Sequence, residues 1–209
     1  MIYRLLLIFS ISIITFFGCK NRSDLKKEGK IISLGNHNDK RISIEVSTKE
    51  GKYYLFPKVL IGDQVVFTDT SPAYYNLQPG YIKLISLDND RDQYYILLDI
   101  SDPILSDKWR ILSIRFNRLI GQYSAIRGIL SDIDGDGYIE VGGIEVSEGY
   151  CLNCDSDYYN PYHIYKLGRK FEFDQKSSEI LTKQLYGTYL GNDRKDTLLR
   201  IKKVNAQSK

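Results

Sequence analysis

Residues 41–47 read RISIEVS, a strict alternation of apolar and polar side chains. Successive side chains of a β-strand point to opposite faces, so this stretch predicts a strand with one buried face. Short runs rich in β-branched and aromatic residues recur between turn signals at 52–56, 64–68, 81–87, 94–100, 108–116, 137–146, 162–167 and 170–173. The pattern predicts an all-β fold, either a sandwich or a propeller-like array of short antiparallel strands.

One short helix is predicted near the C-terminus, at residues 178–186. Ser177 or Ser178 is a suitable N-cap, and Gly187 is suited to end the helix. Its predicted buried face consists of Ile180, Leu181, Gln184 and Leu185, which recur at helical spacing.

The N-terminal segment has the pattern of an export signal. Residues 5–17 are apolar apart from two serines and a threonine, and one arginine precedes them. As a helix this run would be about 20 Å long, which is short for a hydrocarbon core of about 30 Å. Such a length is typical of a signal-peptide core. A signal anchor, or a secretory signal with an unrelated cysteine, is the alternative.

The run ends in Gly18 and Cys19, preceded by Phe16 and Phe17. This ending resembles the lipobox of bacterial lipoprotein precursors, although that motif usually has Leu-Ala or Leu-Ser in place of the two phenylalanines. The resemblance implies that residues 1–18 are removed and that Cys19 is acylated as the new N-terminus. It also implies a lipid-anchored protein of the bacterial cell envelope, with the outer membrane as the expected location.

The rest of the chain divides into a short tether and one domain. Residues 19–30 are polar and charged without periodicity, which predicts a flexible, lipidated tether. Residues 31–209 are then a single β-rich domain, long enough to enclose a core. The net charge of +3 comes from scattered basic residues, so no nucleic-acid partner is expected.

The strongest chemical signal is the stretch DIDGDGYIE at residues 132–140. Calcium takes six to eight oxygen ligands, and a short loop supplies them when alternate residues point inward. Gly137 permits the sharp turn that such a loop needs. The predicted ligands are Asp132, Asp134, Asp136, the backbone carbonyl of Tyr138, and Glu140. The alternative is a solvated hairpin turn without a metal.

This stretch resembles the first nine residues of an EF-hand, but Gly143 stands where the twelfth-position glutamate is required. Its flanks also read as strands and not as helices. It is more similar to the calcium loops of FG-GAP and related propeller repeats, which follow a D-x-D-x-D-G-x-x-D/E pattern between two strands. That resemblance implies calcium as the cofactor and the ligand set given above.

A weaker copy of the pattern precedes it by 44 residues. Residues 85–98 align with 129–142 without gaps, which places Asp88, Asp90 and Asp92 on the three aspartates of the later loop. Gln93 replaces the turn glycine and Ile96 replaces the closing glutamate. The copy is therefore interpreted as a degenerate repeat that only turns the chain, with a second calcium loop as the alternative.

Cys151 and Cys154 form a C-x-x-C pair in a stretch that reads as a loop. In an exported protein they are predicted to form a small structural disulfide. Redox catalysis, a zinc half-site with His163, and two free thiols are the alternatives. Several tyrosines occur in adjacent pairs, and one member of each pair should face solvent or a groove, where it could stack on a sugar.

Together these features predict a lipid-anchored envelope module that is stabilised by calcium and binds a protein or a glycan. No catalytic residue is predicted. The alternatives are an envelope enzyme, acting by thiol–disulfide exchange or otherwise, and a passive structural lipoprotein.

Overall fold

The structure is a computed structural model, and it describes residues 26–87, 90–101, 107–145, 157–194 and 197–199. Cys19, Cys151 and Cys154 lie outside the described residues, as does the signal segment, and their roles stay predictions. Within the described residues, no helix is both long and apolar enough to cross a bilayer.

The described residues form sixteen strands and one α-helix, which confirms the predicted all-β class with a single short helix. The strands are β1 (Lys26–His37), β2 (Lys40–Glu50), β3 (Tyr53–Leu55), β4 (Lys58–Ile61), β5 (Gln64–Thr68), β6 (Tyr74–Asn76), β7 (Ile82–Leu87), β8 (Asp90–Ser101), β9 (Lys108–Arg115), β10 (Arg118–Ile126), β11 (Ile129–Ser131), β12 (Ile139–Ile144), β13 (Asp157–Tyr159), β14 (Tyr162–Leu167), β15 (Phe171–Phe173) and β16 (Thr197–Leu199). The helix α1 is Gln175–Tyr186, and Asn192–Arg194 forms a 3-10 turn.

The first ten strands make one antiparallel sheet in the order β10-β9-β8-β6-β3-β2-β4-β5, with β1 beside β2 and β7 beside β8. The sheet curls, which brings β1 close to β7 and β5 close to β10. The alternation predicted at 41–47 is confirmed, since Ile42, Ile44 and Val46 are fully buried inside the curl.

Strand β8 is buried on both faces. Tyr94, Ile96 and Leu98 point into the core inside the curl, whereas Tyr95 and Leu97 belong to a second apolar cluster on the outer face. A continuous run of buried side chains is what a strand needs when both of its faces are covered. The prediction that one tyrosine of each pair faces outward is therefore wrong for this pair.

The second sheet has the order β11-β12-β14-β15 and covers that outer face. Val141 and Leu167 of this sheet share the second cluster with Trp109 and Ile111 of β9. The second sheet thus packs on the outside of the curled first sheet, which encloses the main core itself. A short β13–β16 pair completes the strands.

The helix α1 begins three residues before the predicted start. Its N-cap is Asp174, whose side chain accepts a hydrogen bond of 3.0 Å from the Ser177 N–H. The predicted end is confirmed, because Gly187 adopts the left-handed conformation with φ of 72°. The predicted apolar face is wrong, since the buried residues of the helix are Ser177, Ser178, Thr182 and Tyr186.

Two of these buried hydroxyls accept hydrogen bonds from backbone N–H groups of β14 that do not pair with a neighbouring strand. Ser178 Oγ accepts from the Ile164 N–H at 3.1 Å, and Thr182 Oγ1 accepts from the Tyr162 N–H at 3.0 Å. Four helical residues rise about 6 Å and two strand residues about 6.8 Å, so the two spacings nearly match. The side chains of α1 thus satisfy backbone donors that β15 does not reach.

Strand β1 begins at Lys26, so residues 26–30 of the predicted tether belong to the sheet. They pair with β2, with Lys26 opposite Lys49 and Lys30 opposite Val46. The polar composition of residues 26–30 gives no strand pattern, because edge strands often carry lysines in place of alternating apolar residues.

Candidate metal centre

The DIDGDGYIE stretch forms the connection between β11 and β12. The hairpin is closed by the antiparallel pair of Ser131 and Glu140. Two glycines allow the tight path between them, Gly135 with φ of 76° and Gly137 with φ of 85°. Side chains are disfavoured in this left-handed region, so glycine is required for the loop geometry.

Asp132 organises the loop around its own carboxylate. Its Oδ1 accepts hydrogen bonds from the backbone N–H groups of Gly135 at 2.7 Å and Asp136 at 3.2 Å. Its Oδ2 accepts from the Gly137 N–H at 3.0 Å. Asp136 Oδ1 in turn accepts from the Tyr138 N–H at 3.0 Å. The chain therefore wraps around the first aspartate before it enters β12.

This path brings four predicted ligands together, Asp132, Asp134, Asp136 and Glu140. One carboxylate oxygen from each lies within 4.8 Å of the others. Oxygens that share a cation at 2.3 to 2.6 Å are at most about 5 Å apart. The four acidic side chains can therefore hold a single metal ion, as the spacing of the sequence predicted.

Glu140 is the least exposed member of this cluster. Its side chain is fully buried, Oε2 accepts a hydrogen bond of 2.6 Å from the Ile133 N–H, and Oε1 has no hydrogen-bond partner. Burial raises the pKa of Glu140, and the negative charges of Asp134 and Asp136 add to the increase. A buried carboxylate oxygen without a partner is costly, and a bound cation would remove that cost.

Two lysines from other elements reach the loop. Lys166 of β14 donates a hydrogen bond to Asp136, and its Nζ lies 3.9 Å from Asp134 Oδ2. Lys176, in the first turn of α1, places its Nζ 3.1 Å from the same Asp134 oxygen. The hydrogen bond from Lys166 lowers the pKa of Asp136.

These lysines were not predicted from the sequence, and no local signal marks them. They lie 26 residues or more beyond Glu140 and reach the loop only through tertiary structure. Lys166 is placed there because it pairs with Glu140 in the β12–β14 ladder. The ring of Tyr138 lies beside it, with Lys166 Nζ 5.8 Å from the ring centroid. The role of the Tyr138 carbonyl as a ligand stays a prediction.

The degenerate copy spans the end of β7 and the start of β8, and its described residues form no comparable cluster. Asp90 is the first residue of β8, and its carboxylate pairs with Arg115 at 3.3 Å. Gln93 and Ile96 are buried in the sheet. Asp88 lies outside the described residues. Within the residues that the structure describes, only the loop at 132–140 gathers three or more possible ligands of this kind.

Comparison with protein-family models, with curated proteins and with solved structures finds no match for this chain. The resemblances to the lipobox and to FG-GAP loops are thus carried by the residues of those motifs. The geometry adds an acidic cluster that can hold a metal ion, with Glu140 buried beneath it.

Proposed function

We propose that the loop at residues 132–140 binds one calcium ion and that the protein is a calcium-stabilised binding module of the cell envelope. The observation that carries the metal proposal is the buried Glu140 carboxylate, whose Oε1 has no hydrogen-bond partner within the described structure. An ionised carboxylate in that position destabilises the fold unless a positive charge compensates it.

The donor set favours calcium among divalent cations. All four acidic ligands offer oxygen, which suits hard cations, and the loop itself supplies no sulfur or imidazole nitrogen. Magnesium prefers strict octahedral geometry at about 2.1 Å and keeps several waters, whereas calcium tolerates irregular carboxylate cages. The loop carboxylates also outnumber the two neighbouring ammonium groups by two charges, which one divalent ion would balance.

The alternative interpretation of the loop is a structural turn without a metal, whose negative charges are balanced by lysines. The contacts of Lys166 and Lys176 with Asp134 favour it, because they already provide cations to the loop. The two candidates differ in their response to added calcium, since only a binding site is stabilised by mass action.

Thermal unfolding of the full chain with and without calcium separates them. For a Kd of about 10⁻⁴ M, calcium at 100 times that value should add about 2.7 kcal/mol to the unfolding free energy. The melting temperature should then rise by several degrees, and magnesium should do much less. Asp134→Ala should remove most of the shift, whereas Asp63→Ala, at an exposed turn, should preserve it. A melting curve unmoved at about 10 mM calcium would establish the metal-free turn.

We propose that the lipid anchor is attached to Cys19. Intact-mass measurement of protein extracted from membranes should give a chain that begins at Cys19 and carries fatty acyl mass. Cys19→Ser should release the protein from the membrane, because a single chain terminus without acyl groups has little affinity for the bilayer. Thiol labelling under denaturing, non-reducing conditions tests the proposed disulfide between Cys151 and Cys154, since neither should react.

A tyrosine-lined surface cavity favours a glycan as the binding partner. Tyr53 and Tyr74 are half-buried with their ring centroids 5.9 Å apart, while their chain neighbours Tyr54 and Tyr75 are buried. A surface cavity of about 550 Å³ is lined there by Glu50, Gly51, Lys52, Tyr53, Tyr74 and Ser101. Aromatic rings beside charged and hydroxyl groups suit a sugar, which offers both apolar faces and hydroxyls.

Titration with soluble peptidoglycan fragments tests this surface. Tyr74→Ala should abolish binding, whereas Tyr158→Ala, an exposed tyrosine outside the cavity, should preserve it. Binding that survives Tyr74→Ala would exclude the cavity, and turnover of a thiol substrate that is lost in Cys151→Ser would favour the redox alternative.

A further inference from the structure

We propose that Lys166 and Lys176 compete with calcium for the loop carboxylates and so set the affinity of the site, an inference that rests on the proposed calcium binding. The two ammonium groups contact carboxylate oxygens that a bound cation would use. Calcium binding is then an exchange of cations at the loop and not the filling of a vacant cage.

Lys166 is the stronger competitor because it reaches several carboxylates at once. Its Nζ contacts Asp136 and lies 3.9 Å from Asp134 Oδ2 and 4.0 Å from Asp174 Oδ2. Only 19% of its side chain is exposed, so its ammonium group is held close to the predicted position of the metal.

Lys176 is the weaker competitor. It contacts a single loop carboxylate, with its Nζ 3.1 Å from Asp134 Oδ2, and 67% of its side chain is exposed. Water solvates its ammonium group, whereas the Asp134 side chain is only 6% exposed, so solvent weakens this ion pair from the lysine side alone. Displacement of Lys176 by calcium should therefore cost less than displacement of Lys166.

The structure also offers each displaced ammonium group a new environment. A calcium ion on Asp134 and Asp136 would repel Lys166 and would use the same oxygens. Asp174, the N-cap of α1, lies outside the ligand set and already stands 4.0 Å from Lys166 Nζ. Lys176 can turn into solvent. The exchange thus needs only side-chain rotation, with no change in the strands.

Calcium titration calorimetry on the full chain tests the competition, with four variants. Lys166→Met removes the charge and retains an unbranched apolar side chain beside Tyr138, and it should lower the Kd about tenfold. Lys176→Gln should lower it about two- to threefold. Lys166→Arg retains the charge, and Lys183→Gln removes a lysine of α1 that pairs with Glu179. Both should bind calcium like the wild type.

The outcomes separate this inference from the proposed function. Wild-type binding with an unchanged or higher Kd in both Lys166→Met and Lys176→Gln would overturn the competition and leave the calcium site intact. Absence of binding in the wild type and in both variants would overturn the calcium site itself. Binding in Lys166→Met alone would show that the lysines exclude calcium from the native loop. Circular dichroism at the titration temperature checks the fold of Lys166→Met, and Lys176→Gln, at an exposed position, gives an independent measurement.

Discussion

The β7–β8 and β11–β12 hairpins each join neighbouring antiparallel strands, and each carries aspartates at alternate positions. In the β11–β12 hairpin these aspartates converge with Glu140. In the β7–β8 hairpin Asp90 instead starts a strand and pairs with Arg115. The two hairpins also lie in different sheets.

Two substitutions explain this difference. At the position of Gly137 the β7–β8 hairpin has Gln93, whose Nε2 donates to the carbonyl oxygens of Gly168 at 3.3 Å and Arg169 at 3.1 Å. At the position of Glu140 it has Ile96, which lies in the main core. Alternate aspartates therefore become a cluster only where glycine permits the turn and a buried carboxylate closes it.

The largest effect is expected from Glu140→Gln. Glutamine keeps the shape of the side chain and can still accept from the Ile133 N–H, so the fold should persist. Calcium affinity should fall about a hundredfold, because the number of charged ligands sets affinity in such sites. The measurement is the calcium-dependent shift in melting temperature. Glu172→Gln, an exposed glutamate on β15, is the control and should keep the full shift.

Gln93→Ala should show that the corresponding position of the other hairpin is structural. The variant loses the bonds from Nε2 to the Gly168 and Arg169 carbonyls, which join the two sheets. Urea denaturation should show a decrease of about 2 kcal/mol in the unfolding free energy, because two hydrogen bonds are lost, although the Gly168 carbonyl keeps the Tyr95 hydroxyl as a donor. Gln122→Ala, at an exposed position of β10, should have little effect. An unchanged calcium shift is expected in both, and a lost shift in Gln93→Ala would mean that this hairpin takes part in metal binding.

The sequence predicts β2 and the acidic cluster because both depend on local patterns. The alternation in β2 and the Asp-Gly spacing at 132–140 each specify which side chains share a face or a turn. The helix face was predicted wrongly, because the partner of α1 is the open backbone edge of β14, which selects Ser178 and Thr182 over apolar residues. That choice depends on where β15 ends, and no local pattern encodes it.

The lysines at the site could not be predicted for a related reason. Lys166 reaches Asp136 only because β14 pairs with β12 in one particular register. Lys176 reaches Asp134 because α1 packs against β14. Charge counting along the sequence finds these lysines but does not place them. The local spacing at residues 132–140 therefore predicts the ligands and misses the groups that compete with the metal.

Gly137→Ala should produce a smaller effect than the two changes above. A Cβ at this position meets no atom within 4 Å, so the cost arises from the backbone alone, at φ of 85°. That conformation costs a non-glycine residue about 1 kcal/mol, which should appear as lower stability with and without calcium. Gly62→Ala, at φ of 61° in the β4–β5 turn, is the matched control. Gly62→Ala should lower the unfolding free energy by a similar amount and leave calcium affinity unchanged. Equal losses of calcium affinity in Gly62→Ala and Gly137→Ala would show that Gly137 has no special role in the site.

The smallest effect is expected from Asp90→Ala, the counterpart of Asp134→Ala. The substitution removes the ion pair in which Arg115 Nη2 lies 3.3 Å from Asp90 Oδ2. Because 43% of the Arg115 side chain is exposed, water can solvate its charge. The Asp92 N–H also loses an acceptor at 3.2 Å, which water can replace at this exposed turn. The unfolding free energy should fall by about 0.5 kcal/mol, and the calcium-dependent shift should stay at its wild-type value. If Asp90→Ala instead reduced that shift as much as Asp134→Ala does, both hairpins would bind the metal, and the glycine and glutamate that distinguish them would not be what makes the site.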